Sequence, residues 1–391
     1  MTDVADVVII GGAMIGSSIA WWLSRDFDGR IVVVERNPSY EWASTTHTNS
    51  CIRQQFGSEV NIRLSRFTLD FMRDLKGWMA DDEAPEIALH DFGYLYLAAD
   101  EGFADVLRRD QKLQTSLGAG TVLLERDEVA ERFPFMVTDD VRLASFGSRD
   151  EGYFDGATLF DWFRRKARHA GVTYVADEVV GIDVAEGRAT GVRLASGQDI
   201  SAGIVVNASG PRAALTARMA GLDLPVEPRK RYSFVFDAAE PLDRPLPLTI
   251  DPSGVHVRSE GRYYLAGCPP FEDGPVAPDD FVEDHTLWEE KVWPAIATRI
   301  PAFERVRLMR SWVGHYAYNT FDQNAILGPH PELPNFLFTN GFSGHGLQQA
   351  AGVGRGIAEL IRDGQYTSLD LTPLGIERLF GGAPTLERAI I

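Results

Sequence analysis

Three short stretches of this 391-residue chain hold residues whose types and spacing could do chemistry. The first is GGAMIG at 11–16, followed about 20 positions on by the acidic Glu35. The second is CIRQQF at 51–56, which carries Arg53. The third is GFSGHG at 341–346, where glycines surround His345 ahead of a run rich in small residues. Bare backbone admits close approach of a phosphate or a ring, an acidic side chain accepts a ribose hydroxyl, and a guanidinium grips a carboxylate through two parallel hydrogen bonds. The two cysteines, Cys51 and Cys268, are too few and too isolated for a zinc site or a disulfide framework, and no metal site is expected.

The first stretch requires a strand–helix–strand unit. DVVII (6–10) is a short β-branched run suited to a buried parallel strand, MIGSSIAWWLSRD has a helical period, and IVVVE (31–35) closes the unit. Gly11 permits the tight turn, Gly16 permits close helix–strand packing, and the helix start at Gly12, Ala13, Met14 and Ile15 faces a pyrophosphate. Ala13 stands where the dinucleotide fingerprint has its middle glycine, so a methyl crowds the phosphate approach. A tight structural turn in an α/β sheet would use the same residues. The motif by itself does not separate NAD from FAD.

The third stretch narrows the choice. NFLFTNGFSGHGLQQAAGVGRGIAELIRDG (335–364) predicts a strand, a glycine loop and a helix whose small residues allow close packing. The helix N-terminus at Gly346, Leu347 and Gln348 carries positive partial charge, which suits the anionic edge of a reduced flavin. A close helix–helix contact alone would also explain the glycines. Together with the N-terminal unit, the pattern favours FAD.

DVVIIGGAMIG, VVVER, AST (43–45), CIRQQF, VVNASGPRA (205–213) and GFSGHG, in this order and spacing, resemble the D-amino-acid oxidase/sarcosine oxidase family of FAD-dependent oxidoreductases. IRQQF and the stretch 311–331 are most similar to a subgroup that includes bacterial oxidases of N-substituted amino acids and a mitochondrial flavoprotein linked to respiratory-complex assembly. The resemblance implies an α/β fold: a glutathione-reductase-like FAD-binding Rossmann domain over 1–86, 147–225 and 326–391. A second α+β substrate domain on a mainly antiparallel sheet would take 87–146 and 226–325. DFGYLYLAA (91–99), RYSFVFD (231–237) and GRYYLAG (261–267) independently read as strands with Pro-rich joins between them. It also implies FAD contacts from Glu35 and Arg36, from Ser44, Thr45 and Thr46, from Val179, from Ala208, Ser209 and Gly210, and from Gly344 to Gln348.

On the substrate side the resemblance places Arg53 on a substrate carboxylate; a surface arginine paired with Glu59 is the plainer alternative. His345 either contacts the flavin or caps its own loop. Tyr232, Tyr264, Tyr316 and Tyr318 are candidates for the pocket wall or for core, and His256 and Arg258 for a second carboxylate. Three departures from the sarcosine-oxidase pattern stand out. The strand 261–267 has Tyr264 near the place of the lysine that helps oxygen react, and the chain has five lysines in all. Gln348 replaces a carboxylate-binding lysine. His315 stands near the position of a flavin-linking cysteine, and non-covalent FAD is expected. Cys51 reads as a small buried side chain.

A formal charge of −18 argues against nucleic acid and leaves an anionic substrate to be met by a local arginine. An ordinary balance of 45% apolar and 24% charged residues fits a globular chain long enough for two domains. No apolar run approaches a membrane span, and the N-terminus has no basic region before its apolar run, so a cytoplasmic protein is expected. Adjacent Trp21 and Trp22 on one helix leave one ring expected outside. The leading reading is oxidation of a secondary amine or N-substituted amino acid, such as sarcosine or iminodiacetate, to an imine that water hydrolyses. Alternatives are a D-amino acid, proline or opine as substrate, or a flavoprotein serving respiratory-complex assembly. Oxygen or a respiratory carrier would reoxidise the flavin.

Overall fold

The computed structural model describes residues 3–382 and 384–387. The β-branched runs predicted as buried strands form one sheet. Asp3–Ile10 lies between Ile31–Glu35 and Asp199–Asn207, all parallel, with Thr173–Ala176 beyond one side and Leu333–Asn340 beyond the other. An antiparallel ribbon, Val179–Ala185 with Arg188–Leu194, extends from Asp199–Asn207. Both faces of the parallel strands are covered, which is why Val7, Val8, Val32, Val33, Val205 and Val206 are fully buried. This is the Rossmann-type half of the molecule.

The second sheet has eight strands and is antiparallel except where Leu248–Ile250 runs parallel to Tyr94–Ala98. Its long strands, Val226–Ala238 and Val306–Asn319, pair along most of their length. One face packs on helix Trp293–Arg299 and the aromatic cluster Phe234, Phe236, Trp288 and Phe303. The strand Tyr263–Cys268 is buried from Tyr264 onward, and Tyr264 points into that cluster.

Two helices meet over the first sheet. Helix Met14–Ser24 and helix Gly346–Asp363 approach so closely that a Cβ on Gly354 would collide with Ser18, whose hydroxyl donates to Ala350 O at 2.8 Å. The same closeness corrects one expectation. Trp21 and Trp22 are both buried, because Phe71 and Phe163 cover the first and Phe67, Phe71 and Trp78 the second. Helices Glu59–Arg73, Leu75–Met79 and Gly156–His169 supply those aromatics, so the two tryptophans make an internal seam and leave no exposed ring. Among the described residues no helix is long and apolar enough to cross a membrane.

Candidate cofactor and substrate site

One large cavity runs between the two sheets, and its two ends are built differently. At the first end the loop after Asp3–Ile10 turns at Gly11, with φ +99°, where a Cβ would lie 2.5 Å from Ala208 O. Gly16 has no room for a side chain against Gly11 O, so the helix seats directly on the turn. Glu35 accepts from the N–H groups of Gly12 and Asn37, both at 2.8 Å. Burial pushes its carboxyl up from the ordinary range, and the two N–H donors counteract the rise. No side chain caps helix Met14–Ser24 at Ala13, although Met14 N reaches Thr45 Oγ1 at 3.3 Å. Ala13, Met14, Ile15, Glu35, Arg36, Ser44, Thr45, Val179, Ala208, Ser209 and Gly210 all line this end.

Gly12, Gly16 and Thr46 are absent from the lining. The two glycines act through packing, and Thr46 turns its hydroxyl to Tyr40 O and Ala43 O at 2.8 Å, so its expected cofactor contact is corrected to a turn-stabilising one. Ser44 lines the cavity while donating to His315 O at 2.7 Å. Arg36 and Arg212 share Asp279, at 3.0 and 2.8 Å, which ties the 269–285 segment across this end.

Helix Gly346–Asp363 starts at the same cavity, again with no side-chain cap. Gly344, His345, Gly346, Leu347 and Gln348 line it. Gly344 has φ +96°, and the ring of Tyr316 occupies the space a Cβ would need. Two uncapped helix starts therefore open on one space, together with a carboxylate held by backbone N–H groups. That combination fits FAD: the first helix start suits a pyrophosphate, Glu35 a ribose, and the second helix start the electron-rich edge of a flavin.

The opposite end centres on Arg53, which is only 1% exposed. Its guanidinium donates to His345 Nε2 at 2.9 Å and lies 4.2 Å over the Phe56 ring. The Glu59 pairing is made instead by Arg63, one helical turn on, so the surface alternative for Arg53 does not apply. The loop carrying it is fastened at many points. Arg53 N donates to Gln348 Oε1 at 2.9 Å, and Ser65 Oγ donates to Arg53 O at 2.5 Å. Gln55 Nε2 donates to Tyr94 O and to Glu151 Oε2, at 2.9 and 2.8 Å, while Ser145 Oγ donates to Gln55 Oε1 at 2.6 Å. Glu151 also accepts from Gln54 N at 2.8 Å. Burial pushes the Glu151 carboxyl up to about 7. Sequence reasoning missed it, since RDEGYF reads as an exposed acidic turn.

His345 neither caps its helix nor stays available as an acid. Because Arg53 donates to Nε2, its proton sits on Nδ1, and burial together with Arg53 holds the imidazole well below its ordinary value. Gln348 likewise spends its carbonyl oxygen on the Arg53 backbone. Both residues hold the arginine in place.

The rest of this end comes from the second sheet: Tyr94, Arg231, Tyr232, Ser233, Leu248, His256 and Tyr316 line it. Three expectations are corrected here. Tyr264 lies outside the cavity, in the aromatic cluster on the other face, stacked on Phe236 and accepting from Leu242 N at 2.8 Å. Arg258 is taken up by Asn49 O, Ser259 O and Glu260, beneath the sheet. Tyr318 lies under Arg229 and is not part of the lining. His256 does face the cavity, held by Asn49 at 2.8 Å, and burial with Arg258 and Arg231 lowers it to about 3, so it is neutral. His315 lines the cavity with Nε2 on Asp280 O at 2.8 Å and its ring on Phe281. Cys51 is raised to about 11 by burial and remains a thiol. None of the five lysines lines the cavity; Lys230 donates to Asp280 and to Val282 O.

The acidic residues of the lining, Glu35, Asp177, Glu178 and Asp279, all lie at the first end. The arginine end is walled by neutral tyrosines, neutral imidazoles and two guanidinium groups. Such a pocket can grip an anion, and none of the described residues lining it is a carboxylate that would hold an ammonium in its charged form.

Comparison with known proteins agrees with this construction. The family model described as FAD dependent oxidoreductase, DAO, matches residues 6–360. FAD-dependent oxidoreductase domain-containing protein 1 of Bos taurus is 37% identical over 424 aligned residues, covering 99% of this chain and 87% of that protein. Mitochondrial sarcosine dehydrogenase of Homo sapiens is 24% identical over 93% of this chain, which spans only 40% of that longer protein. Among solved structures, L-proline dehydrogenase from P. horikoshii superposes with a TM-score of 0.85 at 27% identity, covering 98% of this chain and 100% of the other. The chain belongs to the DAO family of FAD-dependent oxidoreductases.

Proposed function

We propose that this oxidoreductase dehydrogenates a secondary amine that carries a carboxylate, an N-substituted amino acid of the sarcosine or iminodiacetate kind, to an imine that water then hydrolyses. The observation that carries the reading is Arg53: a fully buried guanidinium at the wall of the cofactor cavity, locked by His345 and Phe56. A guanidinium on the cavity lining offers a substrate carboxylate two parallel hydrogen bonds and so a fixed orientation.

FAD, when bound, supplies the two-electron acceptor for a hydride. The chain's own part is positioning. Arg53 fixes the carboxylate and with it the Cα–H. Its like charge, with no acidic side chain among the described residues that line this end, favours the amine in its neutral form, whose lone pair assists the loss of hydride. Burial pushes the Tyr94 and Tyr316 phenols up, so both stay protonated hydrogen-bond donors along the wall. No side chain has to act as a base.

We divide the chain into an FAD-binding part, 1–86, 147–225 and 326–391, and a substrate part, 87–146 and 226–325; every strand of the second sheet except the end of Leu143–Gly147 falls in the latter. The lysine-free lining favours an electron-transfer acceptor over oxygen. A cyclic secondary amine such as proline is the second substrate class, favoured by the likeness to L-proline dehydrogenase. Anaerobic addition of sarcosine, iminodiacetate and proline to the purified flavoprotein tests all of this. Bleaching by one of them, with slow return of colour in air, is expected; no bleaching by any would overturn the amine reading.

A further inference from the structure

The cavity holds a second guanidinium on its lining besides that of Arg53. Arg231, on strand Val226–Ala238, lies over the Tyr316 ring at 4.6 Å and lines the cavity. Tyr316 in turn fills the space beside Gly344, one residue from His345, which holds Arg53. The Tyr316 phenol is pushed up by burial and drawn back by both Arg231 and Arg53. Both arginines line the substrate end, in a molecule whose formal charge is −18. An anion entering against that overall field has to be met by local guanidinium groups of this kind.

Arg231 already displays the geometry of carboxylate recognition. Its two terminal nitrogens meet the two oxygens of Asp273, at 2.7 and 3.0 Å. Asp273 is on the 269–285 segment, which has no helix or strand, and its side chain is 31% exposed against 12% for Arg231. The aspartate keeps contact with solvent, and Arg229, itself paired with Glu227 at 3.0 Å, lies 3.8 Å from it. The neighbouring Lys230 is committed to Asp280 and Val282 O and does not compete for Asp273. Exchange of Asp273 for an incoming carboxylate would strand neither a buried cation nor a buried anion, which is the usual obstacle to such a swap.

We propose that Arg231 is a second anion-recognition residue of this cavity, that the substrate is an amine bearing two carboxylates, and that Asp273 is the exchangeable internal counter-ion of the second subsite. The inference rests on the amine-oxidation reading above and narrows it. Sarcosine would leave Arg231 on Asp273, whereas an N-carboxymethyl amino acid engages both arginines. His256, Ser233 and Tyr232 provide the neutral wall next to this subsite. Arg258, paired with Glu260 and Asn49 O, is not available to it.

Thiodiacetate and methylthioacetate test the inference on the holoenzyme. Each has sulfur in place of the amine nitrogen and cannot form an imine; the first has two carboxylates and the second has one. Dissociation constants would be read from the perturbation of the flavin absorbance. The wild type should bind thiodiacetate about tenfold or more tightly than methylthioacetate, the size expected for one added charged hydrogen-bond pair. Arg231→Gln should abolish the difference while leaving methylthioacetate affinity in place, and Asp273→Asn should enlarge it. If methylthioacetate binds in an Arg53-dependent manner but the ratio is near one, or survives in Arg231→Gln, the second subsite is wrong and the amine reading stands. If neither thioether perturbs the flavin, the amine reading fails and this inference fails with it.

Discussion

The two ends of the cavity solve opposite problems with opposite materials. The nucleotide end is made mostly of backbone: Gly11, Gly16 and Gly344 clear space, and two uncapped helix starts present N–H groups. The substrate end is made of side chains gathered from distant places, with Arg53, Tyr94, Arg231, His256, Tyr316 and His345 around one space. Backbone recognition tolerates no added atoms. Side-chain recognition tolerates exchange, and its cost is the burial of charge. Substitutions at the two ends should therefore fail differently.

The largest effect is expected at Gly16. A methyl there meets Gly11 O, a backbone atom that cannot move without unseating the turn. Gly16→Ala should give protein without bound flavin, or too unstable to purify, as read from the ratio of flavin to protein absorbance. Next comes Arg53→Met, which should keep the flavin but lower kcat/KM for carboxylate-bearing amines by about a hundredfold or more, the scale of a buried charged hydrogen-bond pair. Equal loss of flavin in this variant would contradict the separation of the two ends.

A subtler effect concerns Glu151, the buried carboxylate that fastens the Arg53 loop. Its native value of about 7 is raised above the ordinary 4.5. The native state thus retains a proton that the unfolded chain releases between those two values. Its contribution to stability is fully present below about pH 4.5 and is lost as the pH rises through about 7. Glu151→Gln does not titrate, so the wild type's Tm should fall relative to this variant across that window. A parallel pair of Tm profiles would show that Glu151 is an ordinary carboxylate. The smallest effect belongs to Tyr264→Phe. Loss of its bond from Leu242 N should cost about 1 kcal/mol of stability and leave kcat/KM unchanged, because the ring lies in the core of the second sheet.

The same contrast explains what could be read from the sequence. Glycine spacing, β-branched runs and an acidic residue at the end of the second strand are local, so the turn, the helix start and the Glu35 cradle were all legible in 6–35. The small-residue helix after GFSGHG was legible for the same reason. The substrate end was not, because which face a strand residue takes depends on register. Tyr263 and Tyr264 differ by one position and by the whole thickness of the sheet, and the tyrosine near the family's lysine position turned out to be core. Arg231 sits two positions before Ser233 in a strand that was recognised, yet nothing local marks its side chain as a cavity group. Trp21 and Trp22 failed differently: a helix covered on three sides has no outer face, and that depends on Glu59–Arg73 and Gly156–His169, far along the chain.

The central claim is that a carboxylate held at one end of the cavity delivers an amine to a flavin held at the other. Its most direct test is anaerobic stopped-flow reduction of the holoenzyme by an amino acid with a secondary amine, sarcosine or iminodiacetate, compared with dimethylamine, which has the amine and no carboxylate. The account predicts that the amino acid bleaches the flavin and dimethylamine does not. Equal reduction by both, or by neither, would contradict it.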